Sequence, residues 1–264
     1  MSLSGKTLKD TFKDLLQCDN SNNGVDTTLR NIKDGEGTGS SLWLSDDVVR
    51  VFPTNDNTTS AFNVRANGGG VVFEVDTTNE LVKASGNYVN TQYAYFGVSA
   101  NLSASWDANK HYAIPFVTNA QQSSGQQDDL ELGTGTDPAT TFTTAEGTGT
   151  RASDLVTFTW YVPDAMSIDS VISLEGADAA AGDTTRMHLF SYDFTSGATA
   201  CLTNGTLVAH NSDVTNAGSE QPYYTSWTVD SAAVTAGKVI LCAFRSDSVN
   251  SDYAVNITVK YHLT

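Results

Sequence analysis

The chain has 264 residues, 39% of them hydrophobic, with 14 Lys and Arg set against 30 Asp and Glu for a net charge of −16. That length accommodates two domains, or one large domain with an extension. A surface so acidic repels phosphate backbones and anionic lipid, which excludes nucleic acid and membrane as partners.

No stretch approaches the ~18 consecutive apolar residues of a membrane span. The opening residues, MSLSGKTLKDTFKDLL, have no apolar core and no small-residue cleavage site, so no signal peptide is read there. Cys18, Cys201 and Cys242 are too few and too scattered for a disulfide framework.

In chain order, the first predicted element is a helix over 4–17. Leu8, Phe12, Leu15 and Leu16 fall at helical spacing as one apolar stripe, and Thr7 with Asp10 resembles a capping box. A helix of ~14 residues is marginal alone in water, so it needs sister chains, a docking site or its own domain to lie against. Turn formers follow, CDNSNNGVDTTLRNIKDGEGTGS, which read as a loop.

Over 42–92 the character changes. SLWLS, VVRVF, AFNVR, VVFEVD and ELVKA are short alternating or apolar runs separated by polar turns. Asn67 and Gly68 to Gly70 supply a hairpin tip. These fifty or so residues hold too few large apolar groups to offset chain entropy singly. Phe62, Val64, Phe73 and Val75 are the candidate core of a short stalk in which three copies pool their apolar surface. The competing reading is that these strands extend the downstream sheet.

Over 93–264 the pattern is one all-β domain. Candidate strands run over 93–99, 111–117, 155–162, 170–176, 186–194, 206–210, 223–229, 238–246 and 253–263. In the last, Val255, Ile257, Val259 and Tyr261 alternate with Asn256, Thr258, Lys260 and His262. Eight or nine such strands predict a two-sheet β-sandwich of jelly-roll type. Residues 118–153 form a long polar tract in which Asp129 to Leu132 is expected as a short strand and the rest as an exposed excursion or a strap across a neighbouring subunit.

The search for chemistry is largely negative. His111, His188, His210 and His262 lie in predicted strands with no metal-ligand spacing. The string Gly35, Gly37, Gly39 has neither the preceding strand nor the following helix of a phosphate loop. Three carboxylate pairs, Asp128/Asp129, Asp178/Asp183 and Asp247/Asp252, lie in apparent loops, as expected by chance in so acidic a chain. No catalytic residue, metal ligand or cofactor site is assigned, and the chain is read as a non-enzyme. Trp106, Tyr223, Tyr224 and Trp227 lie in or near turns and are the candidate receptor-facing aromatics, because exposed rings stack on sugars and anchor interfaces.

The segment SGKTLKDTFKDLLQCDNSNNGVDTTLRNIKDGEGTGSSLWLSDDVVRV resembles the start of virion structural and fibre-like proteins of marine tailed bacteriophages. The parts that carry the likeness are a Lys-rich helix over 6–16, an Asn-Gly-Val-Asp turn over 20–26, an Asp-Gly-Glu-Gly-Thr turn over 34–38, and the Leu-Ser-x-Asp-x-Val stretch from Leu44. The following AFNVRANGGGVVFEVDTTNELV is similar to the repeat of trimeric fibre shafts, with Phe73, Val75, Asp76 and Thr77 in its Phe-x-Val-Asp-Thr element. Only one clear copy is present, so the stalk is expected to be short.

The resemblance implies a homotrimer in three parts: 1–41 for attachment to other virion proteins, in tail or capsid, 42–92 as stalk, and 93–264 as displayed head. Leu8, Phe12, Leu15 and Leu16 become the anchor or trimer contacts. The head faces a host-surface glycan or protein, and the location is the virion, assembled from protein made in the host bacterial cytoplasm. A capsid decoration or cement protein is the first alternative. A polysaccharide depolymerase and a monomeric carbohydrate-binding module are the others.

Overall fold

The computed structural model describes residues 15–21, 23–98, 108–116, 131–133, 141–144, 151–178, 182–217, 221–247 and 252–264. All the regular structure among these is β. The chain divides into two compact units, Met1–Val89 and Asn90–Thr264.

The first unit holds two four-stranded antiparallel sheets. β1 (Gln17–Cys18), β2 (Arg30–Lys33), β3 (Gly39–Leu44) and β4 (Val49–Val51) pair in chain order, as do β5 (Phe62–Arg65), β6 (Val71–Asp76), β7 (Leu81–Ala84) and β8 (Asn87–Tyr88). Each is a meander of short hairpins. Of the predicted helix, only the last three residues are described. Leu15 and Leu16 are irregular and exposed, and Gln17 belongs to β1, so the tail of that prediction is corrected; Leu8 and Phe12 lie outside the described residues.

The stretch read as a loop also contains the end of β1, all of β2 and the start of β3. Sequence reasoning missed them because each is short and flanked by turn formers. What holds them is the ladder itself: Cys18 registers with Ile32, and Arg30 with Leu44.

The second unit is a β-sandwich. Its strands are β9 (Thr91–Val98), β10 (His111–Ile114), β11 (Glu131–Gly133), β12 (Thr141–Phe142), β13 (Thr159–Tyr161), β14 (Met166–Asp178), β15 (Thr184–Asp193), β16 (Gly205–His210), β17 (Val214–Thr215), β18 (Gln221–Ser226), β19 (Thr228–Val229), β20 (Ala233–Val234), β21 (Lys238–Ser246) and β22 (Asp252–Leu263). One sheet has the order β18-β14-β22-β9, with β20 beside β14. The other has the order β11-β10-β21-β15-β16-β12, with β13, β17 and β19 attached at its margins. Long strands pass repeatedly from one sheet to the other, from β14 to β15 and from β21 to β22.

Period-two alternation explains the core. Val255, Ile257 and Val259 point inward from β22 and meet Met187, Leu189, Ile240, Cys242 and Phe244 from the opposite sheet. Cys242 is fully buried, and burial pushes its thiol well above the usual range. The three cysteines are unpaired. His262 is buried although it lies on the polar face of β22; its Nδ1 sits 2.8 Å from Asp169 Oδ1, at a bulge in β14.

The larger sheet is covered on its outer face as well. Phe190, Tyr192, Leu241 and Ala243 face away from the first core and are buried under Leu132, Phe142, Leu155 and Phe158. β11 falls at the short strand expected in the polar tract, whereas Phe142 packs on the chain's own sheet, which corrects the expectation of an excursion or strap there. The predicted strand over 155–162 is shortened to Thr159–Tyr161 for the same reason. Leu155 and Phe158 bury together at a spacing of three, so the chain turns there, with the Phe158 and Thr159 amides donating to the Leu155 carbonyl at 2.9 and 3.0 Å.

Candidate functional site

The feature that sets the first unit apart is what it leaves uncovered. Ile32 is its one buried hydrophobic residue among those described, against two large buried clusters in the second unit. Its apolar side chains are nevertheless sorted. Register places Phe62 opposite Val75, Val64 opposite Phe73, Val82 opposite Val75 and Ala84 opposite Phe73. Cross-strand partners share a face, so these six line one side of the second meander. Phe62 and Phe73 meet edge to face at 6.3 Å. The reverse side carries Asn63, Glu74 and Lys83, with the Lys83 ammonium 5.1 Å over the Tyr88 ring.

Phe62 and Val64 remain 43% and 47% exposed on that apolar side. The first meander is built alike. Leu42 registers with Val51 and Leu44 with Val49, while Trp43 and Arg50 take the other face. Val49 and Val51 are exposed. Two amphipathic sheets thus carry apolar faces on which Val49, Val51, Phe62 and Val64 are exposed among the described residues.

The turns that hold these sheets are built by the residues of the sequence motifs. The Asn20 side chain donates to the Gly24 carbonyl at 2.7 Å and to Asp26 at 3.1 Å, and Asp26 also pairs with Arg30. Asp34 accepts from the amides of Glu36 and Thr38 at 2.9 and 2.8 Å, which holds its carboxyl below the usual carboxylate range. Ser45 closes the β3–β4 turn by accepting from the Val48 amide at 3.1 Å. Asp76, at the end of the Phe-x-Val-Asp element, accepts from the Asn79 side chain and from the amides of Thr78 and Asn79. Those bonds hold its carboxyl low as well. These side chains substitute for backbone partners where a ladder turns.

The candidate aromatics are scattered. Trp227 is 7% exposed and its indole N–H donates to Ser173 Oγ at 2.9 Å, so it belongs to the core and not to a receptor face. Tyr223 is half-buried, with its hydroxyl at 2.9 Å from Gln221. Tyr224 is exposed. Trp106 lies outside the described residues. Alternation along β18 separates the neighbours: Tyr223 registers with inward Glu175, and Tyr224 with outward Leu174.

Of the carboxylate pairs, Asp178 registers with Asp252 at the ends of β14 and β22. Asp247 is engaged by the Thr184 amide and hydroxyl at 2.6 and 2.8 Å. Asp128 and Asp129 lie outside the described residues. Among the described residues no group of three or more His, Cys, Asp or Glu is placed to hold a metal ion.

Sequence reasoning missed a buried carboxylate in the second unit. Glu175 sits in the interior of the sandwich, where Ser173 Oγ, Thr185 Oγ1 and Asn211 Nδ2 donate to it at 2.9, 3.0 and 3.3 Å. Burial raises its pKa, and those donors oppose the rise. No local signal marks it: Ile172 and Leu174 put the apolar face of β14 on the opposite side, and the bulge between Ile168 and Ser170 turns Glu175 inward.

The fold and its uncovered faces define an all-β protein with a sandwich unit and a smaller meander unit. No family model and no curated protein matches the chain. Among solved structures it is similar to an aminopeptidase from the marine sediment archaeon Thaumarchaeota archaeon, at 9% identity and a TM-score of 0.33, over 72% of this chain and 40% of that one. It is also similar to the Eiger TNF of S. frugiperda, at 11% identity and a TM-score of 0.26, over 66% of this chain and 94% of that one. The chain spans less than half of the aminopeptidase's length, and at these scores neither likeness carries an argument about activity.

Proposed function

We propose that the chain is a structural protein of a tailed-phage virion, a homotrimer that attaches through its N-terminal part and displays the β-sandwich as a head. The observation that carries the reading is the sorted but uncovered apolar side of the first unit. A sheet with Phe62, Val64, Phe73 and Val75 on one face and charged groups on the other is half of a two-layer core. Exposed apolar patches of this kind mark association surfaces. Three copies supply the missing layer to each other, and the motif turns keep each ribbon in register for it.

The resemblance of the first ninety residues to phage attachment and shaft elements supports the virion assignment. The head then presents its surface to a host glycan or protein. Capsid decoration is the alternative location, and labelled particles seen by electron microscopy distinguish lattice density from tail density.

The decisive experiment is sedimentation of the full chain. The expected result is a trimer mass, shifted to monomer by Phe73→Asp with the head's thermal transition retained. A monomer whose residues 42–92 are strongly protected from hydrogen exchange overturns the proposal. In particles, Phe12→Asp is expected to abolish incorporation.

A further inference from the structure

The outer side of the smaller sheet carries exposed aromatic rings that the core does not use. Register lays them out in rows across β9, β22, β14 and β18. Tyr93 stands beside Lys260 and Ser170, and Tyr95 beside Thr258, Ile172 and Ser226. The next row holds Gly97, Asn256, Leu174 and Tyr224. Tyr93, Tyr95 and Tyr224 are 55%, 42% and 65% exposed. The rings of β9 face out because Ala94 and Phe96, at the alternate positions, fill the sandwich core.

Two properties set this face apart. First, its three rows carry no carboxylate, in a chain with 30 acidic residues, and Lys260 is their one charge. Asp178 and Asp252 bound the face two rows further on. Second, polar groups separate the rings. Tyr95 and Tyr224 lie on opposite edge strands, about 14 Å apart across the sheet, with exposed Asn256 and half-buried Thr258 between them. Gly97 keeps the flank of Tyr95 open, since a Cβ there would meet the Val255 carbonyl oxygen at 3.0 Å.

We infer that this face binds a neutral glycan. The rings of Tyr93, Tyr95 and Tyr224 stack on the C–H faces of sugar rings, while Asn256, Thr258 and Ser226 exchange hydrogen bonds with sugar hydroxyls. The inference rests on the reading of the sandwich as a receptor-facing head, chooses glycan over protein, and does not need the trimer.

Chemistry selects this occupant. A tyrosine offers a rigid apolar ring with a hydroxyl at its rim, and loses little conformational freedom when covered. A sugar has the matching parts, an apolar face and a rim of hydroxyls. Charge excludes acidic glycans, because a chain at −16 repels them and Lys260 alone does not offset that. Size argues against a folded protein. Three half-exposed tyrosines and Leu174 offer roughly 400 Å², about half of the ~800 Å² per partner of a stable complex. The amide and hydroxyl groups among them also break up the dry centre that such a complex needs.

The test is native electrophoresis of the full chain through gels containing dextran, laminarin or galactomannan as neutral probes, with alginate as the acidic comparison. Tyr95→Ala and Tyr224→Ala remove rings from the two edge strands, and Tyr161→Ala removes an exposed ring from the other sheet. Thermal melting of each variant checks that the head is folded. The expected result is that at least one neutral gel retards the wild type. Tyr95→Ala and Tyr224→Ala each raise the Kd about tenfold, and Tyr161→Ala leaves it unchanged. Should Tyr95→Ala fail to fold, Tyr224→Ala decides alone, at an edge-strand position that is 65% exposed.

Free passage of the wild type through all three neutral gels overturns the inference and leaves the face to a protein. Retardation that both tyrosine variants retain overturns the site. Retardation by alginate alone overturns the neutral class. The stalk stands in each of these cases. A wild type that is retarded as expected but sediments as a monomer upholds the glycan site and overturns the trimer.

Discussion

Glu175 shows what a single side chain contributes when it is buried with its charge. Three donors surround it, and Asn211, one of the three, also accepts from the Met187 amide at 2.6 Å. The group thereby ties β14 to β15 and to the turn after β16. Burial raises the folded pKa above the ordinary value of 4.5, so the folded protein holds this proton more tightly than the unfolded chain does. By linkage its stabilising contribution is full below the ordinary value and is lost as pH rises through the raised one. Glu175→Gln keeps hydrogen-bonding capacity without a charge to bury. The variant is expected to melt a few degrees higher at pH 7, on the order of 1 kcal/mol, with the gap closing toward pH 4 in a pH series of thermal melts. An equal gap at both pH values would assign the effect to packing instead.

At the scale of elements, the contrast is between a sheet buried on both faces and two sheets with one buried hydrophobic side chain among their described residues. The larger sheet of the head is a middle layer: Leu189, Cys242 and Phe244 face the sandwich interior, while Phe190, Tyr192 and Leu241 face the cover. Leu155 is fully buried in that cover. Leu155→Ala is expected to cost about 2–5 kcal/mol by chemical denaturation, the range for a large-to-small change in a packed core. A cost under about 1 kcal/mol would mean that the cover contributes little to head stability. The predicted strands over 186–194 and 238–246 are legible because RMHLFSYDF and KVILCAFRS are nearly continuous apolar and aromatic runs of strand length, as a sheet buried on both faces requires. The turn at 155–158 was not legible as a turn, since LVTF alternates nearly as a strand does and only its packing against Phe190 and Leu241 shows the spacing of three.

For the whole molecule, the proposed trimer couples assembly to charge. Copies carrying −16 each repel at long range, and salt shortens that range to about 10 Å at 0.1 M. Association through apolar faces is therefore expected to tighten as ionic strength rises, read as a larger trimer fraction by sedimentation at about 0.3 M salt than at about 0.02 M. Weakening with salt would point to ion pairs as the contact.

Composition and period-two alternation were enough to determine an all-β chain, its sandwich class, the inward residues of β22 and the apolar side of the strands over 62–84, because those properties follow from local chemistry repeated every second residue. Pairing across long sequence separations decided the rest. Which sheet β14 joins, that Trp227 is core while Tyr224 is surface, that a polar tract covers its own sheet, and that Glu175 lies inside all depend on partners tens of residues away, whose distance in space no local pattern encodes.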